Sequence, residues 1–379
     1  MKKIKVVFVN YRMVCGGAEQ ALYDLIHLMD KEKFDISLFV QCPGGPWDDR
    51  FREIVPVYYD YSCRKPTWNP VTKLGNFVKK RRVEQAYKRE GEGVLDVLFP
   101  EGADIVVSYS AWCHDRIAFL KGAKHVKYIH GDPGTNEVYR EEATTKQALL
   151  QEFQRIVCVS QAATEHFRAL SGLSDGVRML YNPIDSDHVR KLSLEPVDLP
   201  EDEPLICAVG RLSPEKGFER LIVIHKNLLA QGIRHKLVIV GDGPDRDFLR
   251  RLVNALEVQD TVILAGFQPN PYPYMRKSKF LVSSSFTEGL PVISMEALCL
   301  GVPMVSAVPS IGEAFGEEMC GLITENDNHS LQEGIRRMLT DDDLYARAKA
   351  GAERRSSFFD GHRMVREVED MLLELMNEE

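Results

Sequence analysis

Short apolar runs alternate with amphipathic stretches along nearly the whole chain, and the alternation occurs twice. In the first half, residues 4–9, 36–40, 55–59, 104–108, 125–129, 155–159 and 177–181 read as strands. In the second half, 204–209, 236–240, 261–265, 279–284 and 303–307 read the same way. Most of these runs are near-continuously apolar, the pattern of parallel strands buried on both faces. Helical spacing fills the gaps. Ala18, Leu22, Leu25, Ile26 and Met29 share one face after Gly17, and Leu249, Leu252, Val253 and Leu256 share one after Pro244. Strands alternating with such helices predict an α/β chain of two Rossmann-like, doubly wound domains facing each other across a cleft. The domains fall at 1–185 and 204–360, with the polar, proline-bearing segment 186–203 as the linker.

Composition narrows the picture. A length of 379 residues accommodates two separate cores, and 44% hydrophobic residues indicate a globular chain. The formal net charge of −8 argues against nucleic-acid binding. The opening Met1–Asn10 is a strand with a basic lead, without the apolar region and cleavage site of a signal peptide. The longest apolar stretch, 297–308, is broken by Gly301, Pro303 and Ser306 and is too short to span a bilayer. Eight scattered cysteines without CxxC spacing predict reduced thiols in the cytoplasm, not a disulfide framework or zinc site.

Two segments carry chemistry. After the run ending at Ser284, a tight turn holds Glu288, and Pro291 is suited to a first helical position. The N–H groups of Gly289, Leu290 and Val292 then face the space above the strand end, as in phosphate sites at helix starts. Glu296 follows about five residues into the helix, roughly 7 Å along its axis. Two carboxylates flanking an anion site fit a ligand with hydroxyls on both sides of a phosphate, the layout of a sugar nucleotide. A capping Glu288 and a solvated Glu296 are the plainer alternative.

The second segment lies upstream. The strand Leu205–Val209 ends at Gly210, and Arg211 and Lys216 follow, five residues apart. Arg211 can grip a phosphate bidentately, and Lys216 adds a compact charge. Together they could neutralise a departing diphosphate without a metal ion. Both lie at the carboxyl edge of a strand, where open α/β sheets bind ligands.

With Gly210-Arg211-Leu212 leading to Glu215-Lys216-Gly217, and Glu288 leading to Glu296, the chain resembles the retaining GT-B glycosyltransferases of family four. Gly16-Gly17-Ala18-Glu19 and Tyr181-Asn182-Pro183-Ile184-Asp185 also match that group, in the expected order along nearly the whole chain. The resemblance implies an N-terminal acceptor domain and a C-terminal nucleotide-sugar domain. It implies a last helix, within 361–379, that crosses back onto the first domain. It also implies transfer with retention, a UDP-sugar first among donors and a glycan or lipid-linked acceptor, in bacterial surface-polysaccharide assembly. No cofactor and no metal are expected.

Roles follow position by position. Arg211, Lys216, Gly289 and Leu290 would stabilise charge on the leaving diphosphate. Glu296 would accept from ribose hydroxyls and Glu288 from donor-sugar hydroxyls. Gly16 and Gly17 open a helix closely enough to approach a ligand, though a plain turn accounts equally for them. His130, at a strand end, matches a histidine that family members place beside the transferred sugar. Ser160 and Asn182 are further acceptor-side candidates.

Three Asp-x-Asp triplets, at 185–187, 245–247 and 341–343, lie in the linker or at helix starts and read as structural. Gly241-Asp242-Gly243-Pro244 is a weak dinucleotide pattern. The stretch 308–315 replaces a Gly/Pro-rich turn common in relatives, which leaves donor choice open. A non-catalytic nucleotide-sugar sensor, an epimerase or a phosphorylase on the same architecture stand as alternatives.

Between Val71 and Gly93 there are seven cations against three acids, and Val71, Leu74, Phe77 and Val78 can share a helical face beside Trp68. Such a stretch fits either a solvated surface helix or an anionic membrane surface presenting a lipid-linked acceptor, on its cytoplasmic side. If the membrane reading holds, replacing Lys79, Lys80, Arg81 and Arg82 with Glu abolishes co-sedimentation with anionic vesicles. Unchanged co-sedimentation rejects it.

Overall fold

The computed structural model of the chain describes residues 2–59, 70–89, 91–110 and 115–378. The chain divides into two compact units, Met1–Pro183 with His362–Glu379, and Ile184–Gly361.

Among the described residues the first unit holds seven strands: β1 (Ile4–Asn10), β2 (Phe34–Val40), β3 (Val57–Tyr59), β4 (Ile105–Ser108), β5 (Lys124–Ile129), β6 (Arg155–Cys158) and β7 (Val177–Met179). Their order is β3-β2-β1-β4-β5-β6-β7, with parallel pairing throughout the described residues. Side chains of β1 explain its unbroken apolar run. Val6 and Phe8 pack with Leu22, Leu25 and Ile26 on one face, and Val7 and Val9 with Val94, Leu95 and Leu98 on the other. Both faces are covered, so neither needs polar residues. The helix Gly361–Asn377 belongs to this unit from His362 on. Val365, Val368, Leu372 and Leu375 recur at helical spacing and enter the core that holds Val6 and Phe8. Glu369 Oε1 accepts from the Asp30 N–H at 2.6 Å.

The second unit has six parallel strands: β8 (Leu205–Val209), β9 (Lys236–Val240), β10 (Val262–Gly266), β11 (Phe280–Ser283), β12 (Met304–Ser306) and β13 (Gly321–Ile323). The order is β10-β9-β8-β11-β12-β13. Strand β13 has no counterpart in the sequence pattern. It is three residues long, and Gly321 opens it so close to β12 that a Cβ would lie 1.8 Å from the Met304 oxygen.

Segment 186–203 is not a bare linker. Ser186–Leu192 is a helix of the second unit, capped by Asp185, which accepts from the His188 N–H at 2.9 Å, and anchored by buried Val189. The cap and one apolar anchor suffice for two turns that polar composition obscured. The basic segment forms the helix Pro70–Tyr87. Val83 and Ala86 enter the core, while Val78, Lys80, Arg81 and Arg82 are exposed. Trp68 and the side chains of Val71, Leu74, Phe77 and Lys79 lie outside the described residues. No helix among the described residues is long and apolar enough to cross a membrane.

Some buried polar groups pair with one another within each unit. In the first unit Lys127 meets Glu142 at 2.9 Å with both side chains nearly inaccessible. In the second, His225 Nδ1 and His235 Nε2 are 2.8 Å apart, and His225 Nε2 is 2.9 Å from Thr261 Oγ1. Burial, with the neighbouring His235, pushes the His225 pKa down to about 3, and burial also lowers that of His235. An unfolded histidine titrates near about 6.5. The unfolded chain therefore takes up protons first, and stability falls as pH drops below that value. Urea unfolding at pH 7 and pH 5.5 should show a loss that His225→Phe reduces by about 1 kcal/mol. An equal loss in both proteins contradicts this.

Candidate functional site

In the second unit the strand order reverses between β8 and β11, and the turns after those two strands carry the candidate residues. Such a reversal leaves the carboxyl ends of neighbouring strands open to a ligand. After β8, the 3-10 turn Pro214–Lys216 is followed by Gly217 at φ +64 and then by the helix Phe218–Ala230. Lys216 Nζ pairs there with Glu288 Oε1, which also accepts from Ser285 Oγ at 2.8 Å. Lys216 and Glu288 keep 25% and 17% of their side-chain surface, so the pair is neither buried nor freely solvated. A small pocket lined by Val209, Lys216, Phe218, Ser285 and Glu288 opens beside it. Arg211 is exposed, and its guanidinium makes no hydrogen bond or ion pair among the described residues.

The helix after β11 is Val292–Cys299, and Pro291 is its N-cap with ψ 126, not its first turn. The ring permits the observed φ of −65, but the extended ψ sets Pro291 outside the helix. No side chain caps this end, and the N–H groups of Gly289 and Leu290 find no acceptor among the described residues. Such a terminus favours negative charge. Glu296 is 5% exposed, so the solvated alternative for it fails, and Tyr272 donates to its Oε1 at 2.9 Å.

The other patterns receive structural roles. Asp185 and Asp341 cap helices, Asp341 accepting from the Leu344 N–H at 2.9 Å, and Asp245 sits at the N-cap of Arg246–Ala255. Gly241, at φ +147, lies where a Cβ would be 1.8 Å from the Gly210 oxygen. The glycines of 241–243 thus serve the close approach of two turns.

In the first unit the candidates also lie beyond carboxyl strand ends. Gly16 caps the helix Gly17–Leu28 in extended conformation after β1. His130 follows β5, with its ring 4.3 Å from that of Tyr109 and 5.6 Å from that of Tyr128. Both ring nitrogens are enclosed without a hydrogen-bond partner. Burial holds its pKa down at about 3, outweighing an opposing contact with the Tyr109 backbone, and the Lys127 charge lowers it further. His130 is therefore a neutral imidazole near pH 7, able to exchange hydrogen bonds with hydroxyls but not to serve as a standing acid. Asn182 is 4% exposed and its Oδ1 is unpartnered. Ser160 drops out. It is fully buried, and its Oγ accepts from the Ala163 N–H at 3.1 Å, capping Gln161–Ser171.

Ser285, Tyr272 and Arg220 escaped the sequence reading. Ser285 stands three residues before Glu288, a spacing that could have flagged it, and Arg220 one turn beyond Lys216. Tyr272 is 24 residues from Glu296, and no local pattern links them.

Two family models match the chain. Residues 15–188 match the model described as Glycosyltransferase Family 4, and 189–355 the model described as Glycosyl transferases group 1. A Campylobacter jejuni relative named N-acetylgalactosamine-N,N'-diacetylbacillosaminyl-diphospho-undecaprenol 4-alpha-N-acetylgalactosaminyltransferase is 34% identical over 198 residues. The match takes in 52% of this chain and spans about half, 53%, of that relative's length. The lipopolysaccharide core biosynthesis glycosyltransferase LpsE of Rhizobium meliloti is 24% identical over 77% of this chain and 75% of its own. Among solved structures, the Anabaena protein HepE in complex with UDP and glucose superposes with a TM-score of 0.75 at 19% identity, covering 97% of this chain and 99% of that one. That likeness shows the fold, the two-unit GT-B architecture.

Proposed function

We propose that this chain, which belongs to glycosyltransferase family four of the group 1 type, moves a sugar from a nucleotide-sugar donor to a glycan or lipid-linked acceptor. The reaction retains the anomeric configuration and needs no metal. The observation that carries the reading is the Lys216–Glu288 pair, held where the strand order reverses and beside the uncapped start of Val292–Cys299. A cation and a helix terminus suit a diphosphate, and a carboxylate next to them suits sugar hydroxyls.

In this reading the donor's diphosphate takes over Lys216 and meets Arg211 and the Gly289 and Leu290 N–H groups. As the glycosidic bond breaks, negative charge grows on the departing oxygen, where these preorganised donors stabilise it most. Glu288, released from Lys216, accepts from the donor sugar. Glu296, steadied by Tyr272, accepts from the ribose. The first unit takes the acceptor, with neutral His130 and Asn182 as partners for hydroxyls. HepE was solved with UDP, which favours uracil as the base. The C. jejuni relative's name contains a diphospho-undecaprenol, which favours a lipid-linked acceptor reached through the exposed Lys80, Arg81 and Arg82. Surface-polysaccharide assembly in the cytoplasm, at the membrane's inner face, fits both. A sensor without chemistry would bind donor and release no diphosphate.

UDP at about 100 times its dissociation constant should add roughly 2.7 kcal/mol of stability, with EDTA leaving the shift intact. A melting temperature unmoved by UDP, GDP and ADP, or moved only with a metal present, breaks the donor-site reading. Transfer itself should release nucleoside diphosphate only with acceptor present and give a product of unchanged anomeric configuration by NMR. Lys216→Ala should lower that turnover about 10²- to 10³-fold while the melting temperature stays near wild type. An inverted product or a near wild-type rate refutes the mechanism.

A further inference from the structure

Arg220 lies on the helix Phe218–Ala230 one turn beyond Lys216 and is 5% exposed. It points its guanidinium at backbone oxygens and bonds to no carboxylate among the described residues, Asp327 acting on it only as a nearby charge. Nε donates to the Ser284 oxygen and Nη2 to the Ser285 oxygen, each at 2.8 Å. The ring of Phe286 covers the guanidinium, its centre 4.1 Å from Cζ. The residues so gripped form the turn that delivers Glu288. Ser284 Oγ donates to the Lys216 oxygen at 2.9 Å, the Phe286 N–H to the Glu215 oxygen at 2.8 Å, and Ser285 Oγ to Glu288 Oε1 at 2.8 Å.

We propose that Arg220 is a positioning residue for the donor site: by holding two successive carbonyls in one planar fork, it sets where Ser285 and Glu288 meet Lys216. Burying a cation among carbonyls is costly for folding alone, and burial does lower the pKa of Arg220. A lysine cannot replace it, because a point charge does not reproduce two parallel bonds of fixed separation. The consequence for turnover rests on the reading of Lys216 and Glu288 as donor-site residues. The consequence for the turn does not.

Arg220→Lys and Ser285→Ala test it, with amide exchange by mass spectrometry and steady-state kinetics on the full chain. In Arg220→Lys, exchange of the bonded Phe286 amide, followed in a peptide spanning Ser284–Leu290, should rise at least about 10-fold, while a peptide within Leu221–Ala230 keeps its wild-type rate. The kcat should fall about 100-fold, the scale of an ångström-sized misplacement. Ser285→Ala alone should lower kcat measurably and should add little to Arg220→Lys, because both act through one chain of bonds. Unchanged exchange in the turn, or equal acceleration of both peptides, makes Arg220 a general stabiliser and overturns the proposal. So does an unchanged kcat in Ser285→Ala, which is informative even where Arg220→Lys fails to fold. A wild-type protein inactive with every nucleotide sugar, but showing the local exchange change, removes the donor-site reading and leaves the positioning of the turn standing.

Discussion

The second unit's site depends on one close approach, that of the Ser284 carbonyl to the backbone of Gly217. A Cβ at Gly217 would sit 2.2 Å from that oxygen, and its φ of +64 is one that L side chains rarely adopt. With glycine there, the end of β11 lies against the turn after β8. Ser284 and Phe286 bond to the backbone of Glu215 and Lys216, and Lys216 reaches Glu288. Gly241 repeats the device on the other side, against the Gly210 oxygen. The turns after β8, β9 and β11 thus meet as backbone on backbone, and a rigid platform of this kind is what preorganised charge stabilisation requires.

Electrostatics differ between the two units. In the second, opposite charges stand at a partly open edge, where Lys216 and Glu288 satisfy each other and, in the proposed function, would exchange that contact for a ligand's phosphate and hydroxyls. In the first, burial strips the candidates of charge. His130 is held neutral beside Tyr109 and Tyr128, and Asn182 is neutral by nature. In the function proposed above, this difference would suit a charged donor on the second unit and a hydroxyl-bearing acceptor on the first. The stretch 308–315 also acquires a form. It contains the short helix Ile311–Phe315, and Ser310 Oγ lies 3.5 Å from the Glu288 oxygen, so it abuts the turn that would hold the donor sugar.

The chain's own pattern determined the class of fold. Twelve of its apolar runs are strands, and the central ones read most clearly because a parallel strand covered on both faces writes its burial directly into consecutive residues. The positions of Arg211, Lys216, Glu288 and Glu296 were legible for a similar reason: each stands at a strand end or in the helix that follows. Tertiary structure alone decided the rest. It showed β13, too short to leave a run, and Ser186–Leu192, a helix held by one cap and one apolar anchor. It moved Pro291 to the N-cap, since a residue's ψ depends on what packs after it. It withdrew Ser160 into a cap and buried Glu296 against Tyr272. Above all it joined Arg220 to Ser284 and Ser285, 64 and 65 residues away. Sequence periodicity reports which face of an element is buried. Which distant carbonyl a buried guanidinium meets depends on the three-dimensional path of the chain between them, and no local pattern records it.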